Sequence, residues 1–110
     1  MKEYLQTNDK LTFLGHSIYF CSCGSYIQKN NKKIFLSTTE NLLLSFFCEN
    51  PNKKVYVQDL VELLSMTKPN IAFTEQNVYV YISRLRKKLE DIPSQPCLLL
   101  NLRPGYLLSI

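Results

Sequence analysis

Residues 74–89 read TEQNVYVYISRLRKKL. Val78, Ile82, Leu85 and Leu89 fall at i, i+4, i+7 and i+11, the spacing of one apolar stripe on an α-helix. At about 100° per residue, Gln76, Val80, Arg84 and Lys87 project from the opposite side. A helix that buries one side and presents Gln, Val, Arg and Lys on the other has the chemistry to read a DNA major groove. Gln and Arg bond base edges, Val meets a thymine methyl, and Lys and Arg neutralise phosphates. The same pattern also fits a surface helix whose basic face is merely solvated. Spacing alone leaves both readings open.

Each outward residue suggests a contact. Gln76 suits adenine N6 and N7, and Arg84 suits guanine or a phosphate. Val80 is an aliphatic residue on an otherwise polar face, which a thymine methyl would explain. Asn77 lies at the edge of that face, where a phosphate is the expected partner. Tyr81 lies off the apolar stripe and has a hydroxyl to give to a phosphate. Tyr79 and Arg86 project sideways, toward packing or backbone contacts. Lys87 and Lys88 are expected to neutralise phosphates.

The surrounding composition narrows the setting. The chain has 110 residues, 45% of them hydrophobic, so one globular domain spanning residues 1–110 is expected. The formal charge of +4 permits a polyanionic partner without requiring one. Position is more telling, since Arg84, Arg86, Lys87 and Lys88 cluster with no acid among them. No apolar run reaches the roughly 20 residues of a membrane span, and the N-terminus lacks a signal core. A soluble, cytoplasmic domain is the expectation. Cys21-Ser22-Cys23 invites a metal reading, but no CxxC pair follows and His16 is the only histidine. Neither a P-loop, a GxGxxG, an HExxH nor a Ser/His/Asp set is present. The reading is therefore of a non-enzyme without a cofactor or metal.

Working outward from the helix, the chain divides into three parts. Residues 3–36 hold short β-branched and aromatic runs at Leu11–Leu14, Ile18–Cys21, Tyr26–Gln28 and Ile34–Leu36, which predict an antiparallel meander. Lys29-Asn30-Asn31-Lys32 predicts a hairpin turn, because Asn tolerates positive φ. Phe13, Phe20 and Phe35 are expected to reach the core from this sheet. Residues 37–90 predict three helices. Ser37-Thr38-Thr39-Glu40 is a capping box, and the helix it opens should stop before Asn50-Pro51-Asn52. Leu43, Leu44, Phe46 and Phe47 are its expected core residues. Val55-Tyr56-Val57 reads as extended. Asp59–Met66 predicts a second helix with Leu60, Val61 and Leu64 inward, and Thr74 caps the third. Residues 97–110 predict a terminal hairpin, with strands Cys97–Leu102 and Tyr106–Ile110. Its turn, Arg103-Pro104-Gly105, fits type II, with Gly at the positive-φ position.

Sheet, three helices and hairpin together make an α+β winged helix-turn-helix. The third helix would enter the groove while the hairpin tip carries Arg103 to the adjacent backbone or minor groove. Arg103 is the only charged residue after Asp91.

At this point the residues resemble the OmpR/PhoB-type winged-helix DNA-binding domain. Leu36-Ser37-Thr38-Thr39-Glu40 is similar to that family's L-T-x-x-E opening, and Asn50-Pro51-Asn52 stands where its H-P-G turn stands. VYVYISRLRKKL, residues 78–89, is close to its V-D-V-H-I-S-R-L-R-K-K-L, and Gly105-Tyr106 resembles the end of its wing. Departures occur at Asn41, where a Phe is usual, and at Tyr56, where a small polar cap is usual. No Trp-Gly follows the second helix, and the wing is shorter than the frequent R-G-x-G form.

The resemblance implies a sequence-specific transcriptional regulator acting on double-stranded promoter DNA. It further implies contact with RNA polymerase through residues 65–73 and head-to-tail self-association on DNA, the amino-terminal sheet meeting the next wing. The amino-terminal placement resembles ToxR/CadC-like regulators. That implies anchoring in the inner membrane by a segment not present in this chain. The competing reading is a winged-helix protein-interaction module that has lost sequence-specific DNA binding.

Overall fold

The computed structural model describes residues 10–110. The sheet expected from residue 3 onward therefore has its residues 3–9 outside the described region. Four strands open the described chain: β1 (Thr12–Gly15), β2 (Ile18–Cys21), β3 (Tyr26–Lys29) and β4 (Lys32–Phe35). They form an antiparallel meander in the order β1-β2-β3-β4. Between β3 and β4, Asn30 (φ 51°) and Asn31 (φ 66°) are both left-handed, as a two-residue type I′ turn requires. The β1–β2 turn uses His16 (φ 52°) and Ser17 (φ 60°) in the same way.

Phe20 is buried as expected, but Phe13 and Phe35 are not. Phe13 pairs across the strands with Tyr19, and Phe35 with Tyr26. These residues stand on the sheet face opposite to Phe20, Ile27 and Ile34, because side chains alternate along a strand. Leu14, at a register shift in β1, enters the core instead.

Helix α1 (Thr38–Glu49) starts at the expected capping box. The Ser37 hydroxyl accepts from the Glu40 N–H, and the Glu40 carboxylate accepts from the Ser37 N–H. It ends at Asn50. β5 (Val55–Tyr56) runs directly into α2 (Val57–Thr67), which begins two residues before the expected Asp59. Tyr56 is its N-cap and gives no side-chain cap, while the Asp59 carboxylate accepts from the Tyr56 N–H at 3.3 Å. α3 (Glu75–Leu89) opens on a box between Thr74 and Asn77. Leu43, Leu44, Phe47, Leu60 and Leu64 meet Val78, Ile82, Leu85 and Leu89 in one core, against which Phe46 and Val61 pack partly buried. Burying such side chains contributes about 1.5–3 kcal/mol each, so this stripe fixes the pose of α3.

The terminal hairpin is β6 (Leu99–Leu102) and β7 (Gly105–Leu108), and β5 joins it in a second sheet of order β5-β7-β6. The expected type II turn is not formed. Arg103-Pro104, joined by a cis bond, makes the turn, and Gly105 lies in β7 without positive φ. Glycine is needed there for space, since a Cβ would lie 2.1 Å from the Val55 carbonyl oxygen. β5 passes too close for any side chain.

Candidate nucleic-acid interface

α3 presents one open face. Its inner stripe is at most 1% exposed, and Gln76, Val80, Ser83, Arg84 and Lys87 on the other side are all exposed. Val80 is 42% exposed, an aliphatic side chain left in water with polar neighbours on both sides. The Arg84 guanidinium sits 5.8 Å from the Tyr81 ring, which in turn lies 6.5 Å from Phe73. Tyr81 is thus a half-buried support that steers Arg84.

Asn77 is exposed at the margin. Its side-chain oxygen is engaged in the cap, accepting from the Thr74 N–H at 2.9 Å and from the Thr74 hydroxyl at 3.2 Å.

Arg86 and Lys88 turn away from the open face. The Arg86 Nε and Nη2 donate to the Leu99 carbonyl at 3.0 and 2.7 Å, and Nη2 also donates to Asn101 Oδ1 at 2.9 Å. Its guanidinium lies 5.3 Å from the Tyr106 ring. Burial lowers the Arg86 pKa, opposed by Tyr106 and Glu90, and burial raises that of Tyr106. The Lys88 ammonium donates to the Phe35 carbonyl at 2.9 Å and to Glu40 Oε1 at 2.6 Å. Lys88, expected to neutralise a phosphate, thus has its charge engaged inside the protein on the nearly buried Glu40, whereas Lys87 stays exposed.

The wing completes the surface. Arg103 is exposed at the hairpin tip. Between tip and helix runs a groove of about 540 Å³ lined by Tyr79, Ser83, Arg86, Asn101 and Arg103 among others. The wing is held there from three sides. Arg86 binds β6, the Val57 N–H donates to the Pro104 carbonyl at 3.1 Å, and the buried Glu90 carboxylate accepts from the N–H groups of Cys97, Leu98 and Leu99.

Ser83 is absent from the sequence-derived set, and Tyr79, expected to project sideways toward packing or backbone contacts, lines the groove. Ser83 stands seven residues after Gln76 and four before Lys87, a spacing that already placed it on the open face. Tyr79 faces the groove only because the wing folds back beside it, which no local pattern reveals. Among the described residues no group of three or more His, Cys, Asp or Glu side chains is placed to hold a metal ion.

Residues 31–108 match the family described as "Transcriptional regulatory protein, C terminal". Over 71 residues the chain is 37% identical to the uncharacterized transcriptional regulatory protein YcbL of Bacillus subtilis (strain 168), covering 64% of this chain and 30% of that protein. The chain spans about a third of the length of the curated relatives it matches. Among solved structures it resembles the response regulator DrrB, a Thermotoga maritima OmpR/PhoB homolog. The TM-score is 0.78 and the identity 27%, over 98% of this chain and 48% of that one. It also resembles the DNA-binding domain of the response regulator AdeR in complex with an intercistronic region, with a TM-score of 0.68 and 26% identity. That likeness covers 88% of this chain and 98% of that one.

Proposed function

This chain belongs to the family of transcriptional regulatory protein C-terminal domains, of OmpR/PhoB winged-helix type, and from that premise we propose that it binds double-stranded promoter DNA in a sequence-specific way. α3 lies in the major groove, and Arg103 on the wing reaches the adjacent backbone or minor groove. The observation that carries this reading is the open face of α3. Gln76, Val80, Ser83 and Arg84 offer base-edge and methyl contacts, Lys87 offers charge, and Arg103 stands on a wing clamped to the same helix. AdeR, solved with DNA, supports it as a similar protein.

The test is binding to the protein's own upstream promoter against random DNA at two salt concentrations, with Arg84→Ala beside wild type. The expected result is a preference of a hundredfold or more that the variant loses, at a cost of about 1–3 kcal/mol. Equal losses on both DNAs remove Arg84 from the base-reading set. No binding to either DNA moves a protein-interaction module to first place.

Two partner surfaces extend the proposal. Met66, in the last turn of α2, is 80% exposed, and Ile71, in the connection to α3, is 51% exposed; these apolar side chains support an RNA polymerase contact through residues 65–73. Phe13 and Tyr19, exposed with ring centroids 5.1 Å apart on the outer sheet face, support head-to-tail contact with the wing of a second copy on DNA. Among the described residues no helix is long and apolar enough to cross a membrane. A membrane anchor would lie in a segment outside this sequence.

A further inference from the structure

We propose that Cys21 and Cys23 form a dithiol site that hydroperoxides oxidise to an intramolecular disulfide. Their Sγ atoms lie 3.4 Å apart. A disulfide has a bond of about 2.05 Å, so closure needs an approach of about 1.4 Å. Cys21 is fully buried at the end of β2, and Cys23 is exposed in the turn that follows. Ser22 and Gly24 on either side of Cys23 are also exposed, so the turn has room to adjust.

The two sulfurs have complementary parts. The exposed Cys23 thiolate attacks the terminal oxygen of the hydroperoxide. The O–O bond breaks, an alcohol (or water) leaves, and Cys23 becomes a sulfenic acid. The Cys21 sulfur then attacks the Cys23 sulfur, and hydroxide leaves as water with the Cys21 proton. Two thiols and one hydroperoxide thus give one disulfide, one alcohol and one water. A dithiol reductant reverses the step, as expected for a transient disulfide in a reducing compartment.

The remaining thiols are built differently. Burial, with the neighbouring Glu49 charge, pushes the Cys48 thiol up to about 11, which keeps it protonated. Cys97 is exposed, and its Sγ faces the Gln95 carbonyl at 4.0 Å rather than a second sulfur. The Cys21–Cys23 turn is also wired to α1. Asn41 Nδ2 donates to the Ser22 carbonyl at 3.1 Å, and Glu40 beside it holds Lys88 of α3. A change in the turn is delivered to the segment that anchors the end of α3.

The test is treatment of the reduced chain with hydrogen peroxide, followed by intact mass and peptide mapping. The expected product has lost two hydrogens, maps to a Cys21–Cys23 link and reverts with dithiothreitol. Cys23→Ser, at an exposed position, abolishes it, whereas a Cys48→Ala/Cys97→Ala double variant retains it. Phenylarsine oxide, which bridges paired thiols, should bind one equivalent of reduced wild type and none of Cys23→Ser. Thiols that pass to sulfinic acid without a link, links formed only between chains, or a link through Cys48 or Cys97 would each overturn the proposal.

Discussion

Arg86 closes its guanidinium on one atom of the wing, the carbonyl oxygen of Leu99, with Nε at 3.0 Å and Nη2 at 2.7 Å. This joins α3 to β6 and so fixes where Arg103 stands relative to Arg84. Only a planar fork makes both bonds at once. A guanidinium so engaged, 5.3 Å from the Tyr106 ring, acts as a strut between α3 and the wing.

Arg86→Ala should therefore unfold more easily by about 1.5–3 kcal/mol, the usual contribution of hydrogen bonds to a charged group. Urea denaturation reads this directly. Arg86→Lys should recover only part of the loss, because an ammonium cannot reproduce the fork. An unchanged urea midpoint in Arg86→Ala, with one unit less salt dependence of DNA binding, would make Arg86 a phosphate contact instead.

Lys87 and Lys88 are neighbours of identical chemistry with opposite expected behaviour. Lys87 is exposed, so Lys87→Ala should leave stability within about 0.5 kcal/mol and lower the salt slope of DNA binding by about one. Lys88 is tied to Glu40 and the Phe35 carbonyl. Lys88→Ala should destabilise by about 1–3 kcal/mol, since the nearly buried Glu40 is left without its cation, and should leave the salt slope unchanged. Matching salt slopes in the two variants would contradict this division.

The same pair predicts a pH dependence. Burial alone would raise the Glu40 pKa, but the Lys88 hydrogen bond, the Ser37 N–H and the Lys88 charge outweigh it and hold the carboxyl below its ordinary value. A carboxyl with a depressed folded-state pKa contributes stability that is complete above the unfolded value of about 4.3. That contribution is lost as pH falls through the folded value. Wild type should therefore exceed Glu40→Gln by a constant margin near neutrality, and the margin should shrink below about pH 5. Denaturant titrations of both proteins from pH 7 to pH 3 measure it. A margin that stays flat over this range would mean that Glu40 does not act as a carboxylate.

The elements that local patterns determine were legible from sequence. The stripe Val78, Ile82, Leu85 and Leu89 specified α3 and its buried side, and all four are in the core. The Ser37–Glu40 box and the Asn30-Asn31 turn follow from side-chain and backbone chemistry within four residues. What escaped depends on partners distant in sequence. Phe13 and Phe35 read as core by hydrophobicity, but strand register turned them outward. Lys88 read as a phosphate contact until Glu40, 48 residues away, claimed it. Ser83 was legible on the helical wheel, since it stands seven residues after Gln76 and four before Lys87 on the face that α3 leaves open.

Gly105 offers the sharpest contrast between the local and the tertiary reading. Were it needed for a positive φ in a type II turn, Asn would be a mild replacement, since Asn tolerates that region. It lies instead in β7, where a Cβ would meet the Val55 carbonyl oxygen at 2.1 Å and the Tyr56 Cα at 2.9 Å. Both neighbours are backbone and cannot swing aside. Gly105→Ala and Gly105→Asn should then be equally harmful, each costing at least about 1–3 kcal/mol by forcing β5 away from β7. The Tyr56–Gly105 register should be lost, with the Val57 to Pro104 hydrogen bond beside it. Amide exchange at Val57 would report that opening, and urea midpoints would compare the two variants. A clear advantage of Asn over Ala would restore the turn explanation.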